Sequence, residues 1–176
     1  MDIVNVLANF LSLFLLPAAI VFAAVILSKK YFEFNEKNKH FKLRERTFIE
    51  VLPKKLHAYE RMVLFLERIS PSSLVMRTHK AGMSAKLLQT ELLRSIREEY
   101  EHNLAQQIYI SGETWALIKN TKDEMAHLIN VSAEKAGDDA TGVELAQMIF
   151  RISGELGKLP TDTAIAQLRK EIQKLV

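Results

Sequence analysis

Two short motifs in the sequence have the residue types and the spacing of metal ligands. Glu99 and His102 form one Glu-x-x-His motif, and Glu124 and His127 form the second. Two such motifs on different helices, together with two further glutamates, hold the metal pair of ferritin-like di-iron proteins. The sequence therefore offers one catalytic hypothesis, a membrane-bound di-metal carboxylate enzyme.

The helical phase of these residues argues against a metal site. Successive residues are about 100° apart around a helix, and Ile96 and Tyr100 mark the apolar face of the first helix. His102 points well away from that face, and His127 lies nearly opposite the apolar face that Ile129 marks. Because a metal pair needs all its ligands on inner faces, we expect surface Glu–His pairs, with no metal and no cofactor.

The rest of the sequence contains no other recognisable catalytic pattern. It has no cysteine, which excludes thiol catalysis, disulfide scaffolds and zinc sites built on cysteine. It also lacks the glycine-rich loops that cradle phosphates and the motifs of kinases and serine hydrolases. We therefore expect a protein that is not an enzyme and has no catalytic residues.

The excess positive charge of the chain is concentrated in its N-terminal part. The net charge is +3, which could indicate nucleic-acid binding. However, residues 69–176 contain 13 basic and 14 acidic residues, so the surplus lies nearer the N-terminus. A basic segment beside an apolar run is typical of contact with anionic lipid, and we expect no nucleic acid as a partner.

The N-terminal apolar run predicts a transmembrane anchor. Ile3–Ser28 contains no charged residue, and as a helix it would span about 39 Å, enough for a hydrocarbon core of about 30 Å. A cleaved signal peptide is the alternative, but it requires a basic start and a shorter apolar stretch. Here Asp2 precedes the run and Lys29 and Lys30 follow it.

The flanking charges predict the orientation of this anchor. Seven basic residues between 29 and 46 stand against three acidic ones, so the positive-inside rule places the N-terminus outside and the C-terminal part in the cytoplasm of a bacterial inner membrane. Aromatic side chains beside the lysines favour the headgroup layer. The expected membrane-surface contacts are Lys29, Lys30, Tyr31, Phe32, Phe34, Lys37, Lys39, Lys42, Arg44 and Arg46.

Beyond the anchor, residues that are typical of helix ends predict a series of helices. Ser84 and Ser111 are expected N-caps. Thr141 and Glu144 have the spacing of a capping box, and Gly137 is a plausible left-handed C-terminal residue of the preceding helix. No segment alternates with a period of two, so we expect an all-α fold without a sheet.

We expect three parts in the chain. Residues 1–28 form the anchor, residues 29–52 a basic juxtamembrane linker or helix, and residues 53–176 a compact cytoplasmic bundle of about five helices. The short connections favour antiparallel neighbours. In the first helix of the bundle, Leu64 and Phe65 are both expected to join the apolar face.

Two segments of the chain resemble a known family. These are HAYERMVLFLERISPSSLVMR, residues 57–77, and REEYEHNLAQQIYIS, residues 97–111. They resemble uncharacterised single-pass membrane proteins from Bacteroidota, a family with a domain of unknown function. The resemblance implies a bacterial inner-membrane setting, and it implies no activity, cofactor or catalytic residue.

Together these features predict a non-enzymatic adaptor or accessory subunit. Its bundle would dock on a partner protein at the cytoplasmic face of the membrane, with the basic segment against anionic headgroups. A homo-oligomer is an alternative form of partnership, and the di-metal enzyme is the alternative function.

Overall fold

The computed structural model describes the backbone of residues 3–174 and the side chains of residues 3, 13, 15, 17–35 and 48–174. Its elements, in chain order, are α1 (Ile3–Ile69), α2 (Pro71–Thr78), α3 (Ala85–Asn103), a 3₁₀ helix (Leu104–Tyr109), α4 (Gly112–Ala136), α5 (Gly142–Glu155) and α6 (Pro160–Gln173). The all-α prediction is confirmed, since residues 3–174 contain no strand beyond one isolated bridge.

The chain divides into two compact units, Met1–Val51 and Leu52–Val176. The first unit contains the N-terminal part of α1, in which every side chain from Pro17 to Phe34 is exposed. The second unit contains the C-terminal part of α1 together with α2 to α6, and it forms the helical bundle.

The predicted transmembrane anchor, residues 1–28, is wrong. In the part of the chain that the structure describes, no helix is both long enough and apolar enough to span a bilayer. The prediction was based on the uncharged run Ile3–Ser28 and on the charges that flank it, and in the structure this run is part of α1, which extends to Ile69. The single-pass topology and the inner-membrane localisation were derived from the anchor, and they are wrong with it.

The core of the second unit lies where the faces of its helices converge. In α1, Tyr59, Met62 and Leu66 are at most 2% exposed, and their spacing of three and four residues gives one buried stripe. Leu88 and Leu92 of α3 are fully buried. The other helices contribute further buried apolar side chains, including Leu74, Ile118, Met125, Leu145, Ile149, Ala164 and Leu168.

The helices begin and end at the residues predicted to cap them. The hydroxyls of Ser84 and Ser111 each accept a hydrogen bond from a backbone N–H three residues later. Thr141 and Glu144 form a complete capping box at the start of α5. The three predicted caps are confirmed. Gly137 ends α4 as predicted and has a positive φ of 93°, which other residues rarely adopt, but its ψ of 163° differs from the predicted left-handed helical conformation.

An isolated antiparallel bridge joins the loop before α3 to the loop before α5. The backbone N–H of Ala85 donates to the carbonyl of Ala140 at 2.9 Å, and the N–H of Gly142 donates to the carbonyl of Met83 at 2.8 Å. The bridge therefore fixes the N-terminal ends of α3 and α5 side by side.

Gly142 is the position where this bridge tolerates no side chain. A Cβ there would lie 2.9 Å from the carbonyl oxygen of Met83, so Gly142→Ala should lower the free energy of unfolding by about 1–2 kcal/mol as the backbone shifts. Gly154, also in α5, has open space around it, and Gly154→Ala should raise the free energy by up to about 1 kcal/mol. Urea denaturation of both variants measures the two changes, and changes of the same sign would contradict the close approach.

Candidate functional site

The structure does not bring the two Glu-x-x-His pairs together as a metal site. Glu99 on α3 pairs with arginines, and the side chains of His102, Glu124 and His127 are exposed. Across the described residues, no three His, Asp or Glu side chains are close enough together to hold a metal ion. Glu124 and His127 lie instead on the rim of a groove.

Glu99 is the centre of a polar cluster that joins three helices. Its Oε1 lies 2.7 Å from Arg68 Nη2 of α1 and 3.8 Å from Arg77 Nη1 of α2. Next to it, the buried Asn103 accepts a hydrogen bond from Arg61 Nε at 2.9 Å and donates to the Glu99 carbonyl at 2.7 Å. The pairs are satisfied within the bundle, so this cluster positions α1 against α3.

A second polar cluster joins the end of α6 to the start of α4. The backbone N–H and the hydroxyl of Ser111 donate to the two carboxylate oxygens of Glu171, each at 3.0 Å. The buried Tyr59 of α1 lies beside the same carboxylate. Ser111 thus caps α4 and also connects it to α6.

The Glu171 carboxylate and the Tyr59 hydroxyl shift each other's pKa. Burial alone would raise the pKa of Glu171, but the nearby hydroxyls of Thr114 and Tyr59 and the hydrogen bonds from Ser111 outweigh burial and lower that pKa from its ordinary value. Burial first, and then hydrogen bonding to Glu171, raise the pKa of Tyr59. The ionised carboxylate with a neutral phenol is therefore the favoured state.

An apolar groove runs between α4 and α5 and ends at the first turn of α6. Its volume is about 560 Å³. Leu128 is almost buried and forms part of the floor, whereas Leu156 is 50% exposed. We name this surface the α4–α5 groove, and its lining residues are Asp123, Glu124, His127, Leu128, Val131, Ile152, Leu156 and Pro160.

A second apolar groove lies between α1 and α6. Its volume is about 460 Å³, and the exposed side chain of Leu64, at 61%, borders it. Its charged residues are one acid and one base, Glu60 and Arg169, so it has no net charge. We name it the α1–α6 groove, and its lining residues are Tyr59, Glu60, Val63, Leu64, Leu168, Arg169 and Ile172.

Both grooves are concave and apolar, within the size range of ligand and peptide sites. They differ in charge, because the lining of the α4–α5 groove contains two carboxylates and neither lysine nor arginine. In the sequence, Glu124 and His127 were considered for metal chemistry, and Val131 of the same groove was not recognised. Val131 lies seven residues after Glu124, on the same side of α4, and this spacing was the available signal.

The predicted membrane-surface residues divide into two sets. Five of them, in the first unit, have exposed side chains: Lys29, Lys30, Tyr31, Phe32 and Phe34. The other five lie outside the side chains that the structure describes: Lys37, Lys39, Lys42, Arg44 and Arg46.

Comparison with known proteins gives one match. The model of a family described as "Family of unknown function (DUF7935)" matches residues 5–175. No curated protein and no solved structure matches the chain. The resemblance seen in the sequence is thus confirmed at the level of a family of unknown function, and the match carries no information about source or membrane.

Proposed function

This chain belongs to the DUF7935 family of unknown function, and we propose that it is a non-enzymatic adaptor whose helical bundle docks on a partner protein. The α4–α5 groove is the observation that carries the proposal. A groove of about 560 Å³ with an apolar floor and a half-exposed Leu156 leaves apolar surface in contact with water. Contiguous exposed apolar surface with a polar rim is typical of protein interaction sites.

The energetics favour a covered groove. Removing apolar surface from water gains about 25 cal/mol per Å², and interface energy concentrates in a few buried side chains surrounded by a polar rim. Leu128 and Ile152 are already held in place by packing within the bundle. A partner would therefore find a preformed surface, which reduces the entropy lost on binding.

The geometry gives less support to the di-metal alternative. Its residue Glu99 is occupied by two arginines, and the exposed side chains of His102 and His127 do not converge with it. An adaptor requires only a rigid bundle and a surface to dock on. Contact of Lys29 and Lys30 with anionic lipid, a homo-oligomeric form and a source in Bacteroidota stay predictions from the sequence.

Photocrosslinking in the cells that make the protein tests the docking surface. A photoreactive amino acid in place of Leu156 in the full-length chain should give one discrete adduct with a partner protein. A second change, Val131→Asp, places a charge in the groove and should reduce the yield of that adduct at least tenfold.

Leu87 provides the matched control. It is a leucine on α3 with nearly the same exposure, 48%, and it belongs to neither groove. The photoreactive residue at that position should give no discrete adduct. Adducts of equal yield from both positions, or an adduct from position 156 that Val131→Asp leaves unchanged, would contradict docking at the groove.

A further inference from the structure

We propose that the occupant of the α4–α5 groove is an amphipathic α-helix of the partner, with one apolar stripe and a basic flank. This inference rests on the proposed function and specifies the chemistry of the partner. Three features of the groove support it: the spacing of its lining residues, the kind of backbone around it and the sign of its charge.

The spacing of the lining residues matches the side of a helix. Glu124, Leu128 and Val131 lie on one side of α4 over seven residues, a length of about 10.5 Å at 1.5 Å per residue. Ile152 of α5 and Leu156, the residue that follows the end of α5, form the opposite wall. A partner helix with apolar residues at positions i, i+4 and i+7 presents a stripe of the same length.

The secondary structure around the groove also favours a helical partner segment over an extended one. An extended peptide binds by adding a strand to a free sheet edge. Residues 112–173 form helices and their connections here, and the isolated bridge of the bundle lies at Thr141, outside the lining of the groove. An extended segment would therefore leave its own backbone groups without partners from the groove.

The charge around the groove selects a basic flank. Asp123 is neutralised by Lys122 at 2.7 Å, whereas Glu124 takes part in none of the ion pairs of the bundle. Among the charged groups next to the lining residues in the chain, Arg151 and Glu155 adjoin Ile152 and Leu156, and Lys158 and Asp162 lie near Pro160, so these four balance. Glu124 in the lining leaves the groove net negative, so lysine or arginine beside the apolar stripe complements it.

Two synthetic peptides of the same length test the inference with the full-length protein. Both carry leucine at i, i+4, i+7 and i+11, and they differ only in having lysine or glutamate beside the stripe. Fluorescence anisotropy should show the lysine peptide binding at least about tenfold more tightly at low salt, with the ratio falling as salt screens the rim charges. Leu156→Asp should weaken the binding of the lysine peptide at least about tenfold.

Two variants test separately the preference for a basic flank and the choice of groove. Glu124→Lys should reduce the preference for the lysine peptide at least about threefold and leave the glutamate peptide bound as well or better. Leu64→Asp changes an exposed leucine of the α1–α6 groove and should leave the binding of both peptides unchanged. Circular dichroism of each variant confirms that the bundle is folded.

The outcomes distinguish the inference from the proposed function. Equal binding of both peptides, abolished by Leu156→Asp, would overturn the basic flank and leave docking at the groove supported. Failure of both peptides to bind, or binding that Leu156→Asp does not change, would overturn helix docking at this groove. A dimer in sedimentation analysis that Leu156→Asp dissociates would make a second copy the occupant and would also overturn the inference.

Discussion

Replacing Phe65 with alanine is expected to lower the free energy of unfolding by about 3–5 kcal/mol. The Phe65 side chain is 1% exposed. Its ring centroid lies 6.0 Å from that of Tyr100, which in turn stacks 5.8 Å from Trp115. Alanine would leave a cavity at one end of this row of rings and remove its contacts. Chemical denaturation of the full-length protein, followed by circular dichroism, measures the loss.

Leu64 is the matched control for this experiment. It is the neighbouring residue in α1 and is 61% exposed, so Leu64→Ala should change the free energy of unfolding by no more than about 0.5 kcal/mol. Both residues lie within the same turn of α1, so the two variants change the same stretch of the helix. Losses of equal size would contradict the burial of Phe65 and the exposure of Leu64.

The contrast between these neighbours depends on tertiary packing. Periodicity predicted both residues on the apolar face, because Leu64 and Phe65 each extend it. Which of the two is buried depends on where the other helices of the bundle pack, and that information is distributed over the chain. The caps at Ser84 and Thr141 could be predicted because a cap depends on residues within four positions.

The anchor prediction also failed. It took the uncharged run Ile3–Ser28 as one helix long enough for a hydrocarbon core. Among the described residues, no helix is long and apolar enough to span a membrane. The helix α1 also continues through Pro53, where the sequence placed the start of the bundle.

The α4–α5 groove could not be derived from either of its helices alone. Val131 and Ile152 are 21 residues apart, and the groove exists because α4 and α5 pack with space between their outer edges. Glu124 and His127 were noticed for their residue types, and the structure gives them a position on the rim of an apolar surface. Residue type and spacing therefore drew attention to this part of α4 but did not indicate the groove beside it.

The position of Glu171 in the sequence indicates that its carboxylate has a partner in the fold. It lies in the last turn of α6, where the helix dipole disfavours an acidic side chain and favours a basic one. An acidic residue at such a position suggests a compensating partner elsewhere in the fold. The partners are the N–H and hydroxyl of Ser111, sixty residues earlier in the chain.

Glu171→Ala is expected to lower the free energy of unfolding by about 2–3 kcal/mol at neutral pH. Hydrogen bonds to a charged group contribute about 1.5–3 kcal/mol each, and partial exposure of the carboxylate reduces the total for the two bonds from Ser111. Glu134→Ala, at an exposed position of α4, makes the same chemical change and should alter stability by no more than about 0.5 kcal/mol.

The stabilisation by Glu171 should also depend on pH in a defined direction. Its pKa in the folded protein is lowered from its ordinary value, because hydrogen bonding outweighs the effect of burial. A group with a lowered folded-state pKa adds stability above its unfolded-state pKa and loses it as the pH falls through the folded-state value. The difference in the free energy of unfolding between the unaltered protein and Glu171→Ala should therefore be constant from neutral pH to about 5 and shrink below about 4.5.

Glu144 also has a lowered pKa, caused by Thr141, but it is present in both proteins and its contribution cancels. A difference that is unchanged at about pH 3, or that grows on acidification, would contradict the Glu171–Ser111 contact as a charged hydrogen-bonded pair.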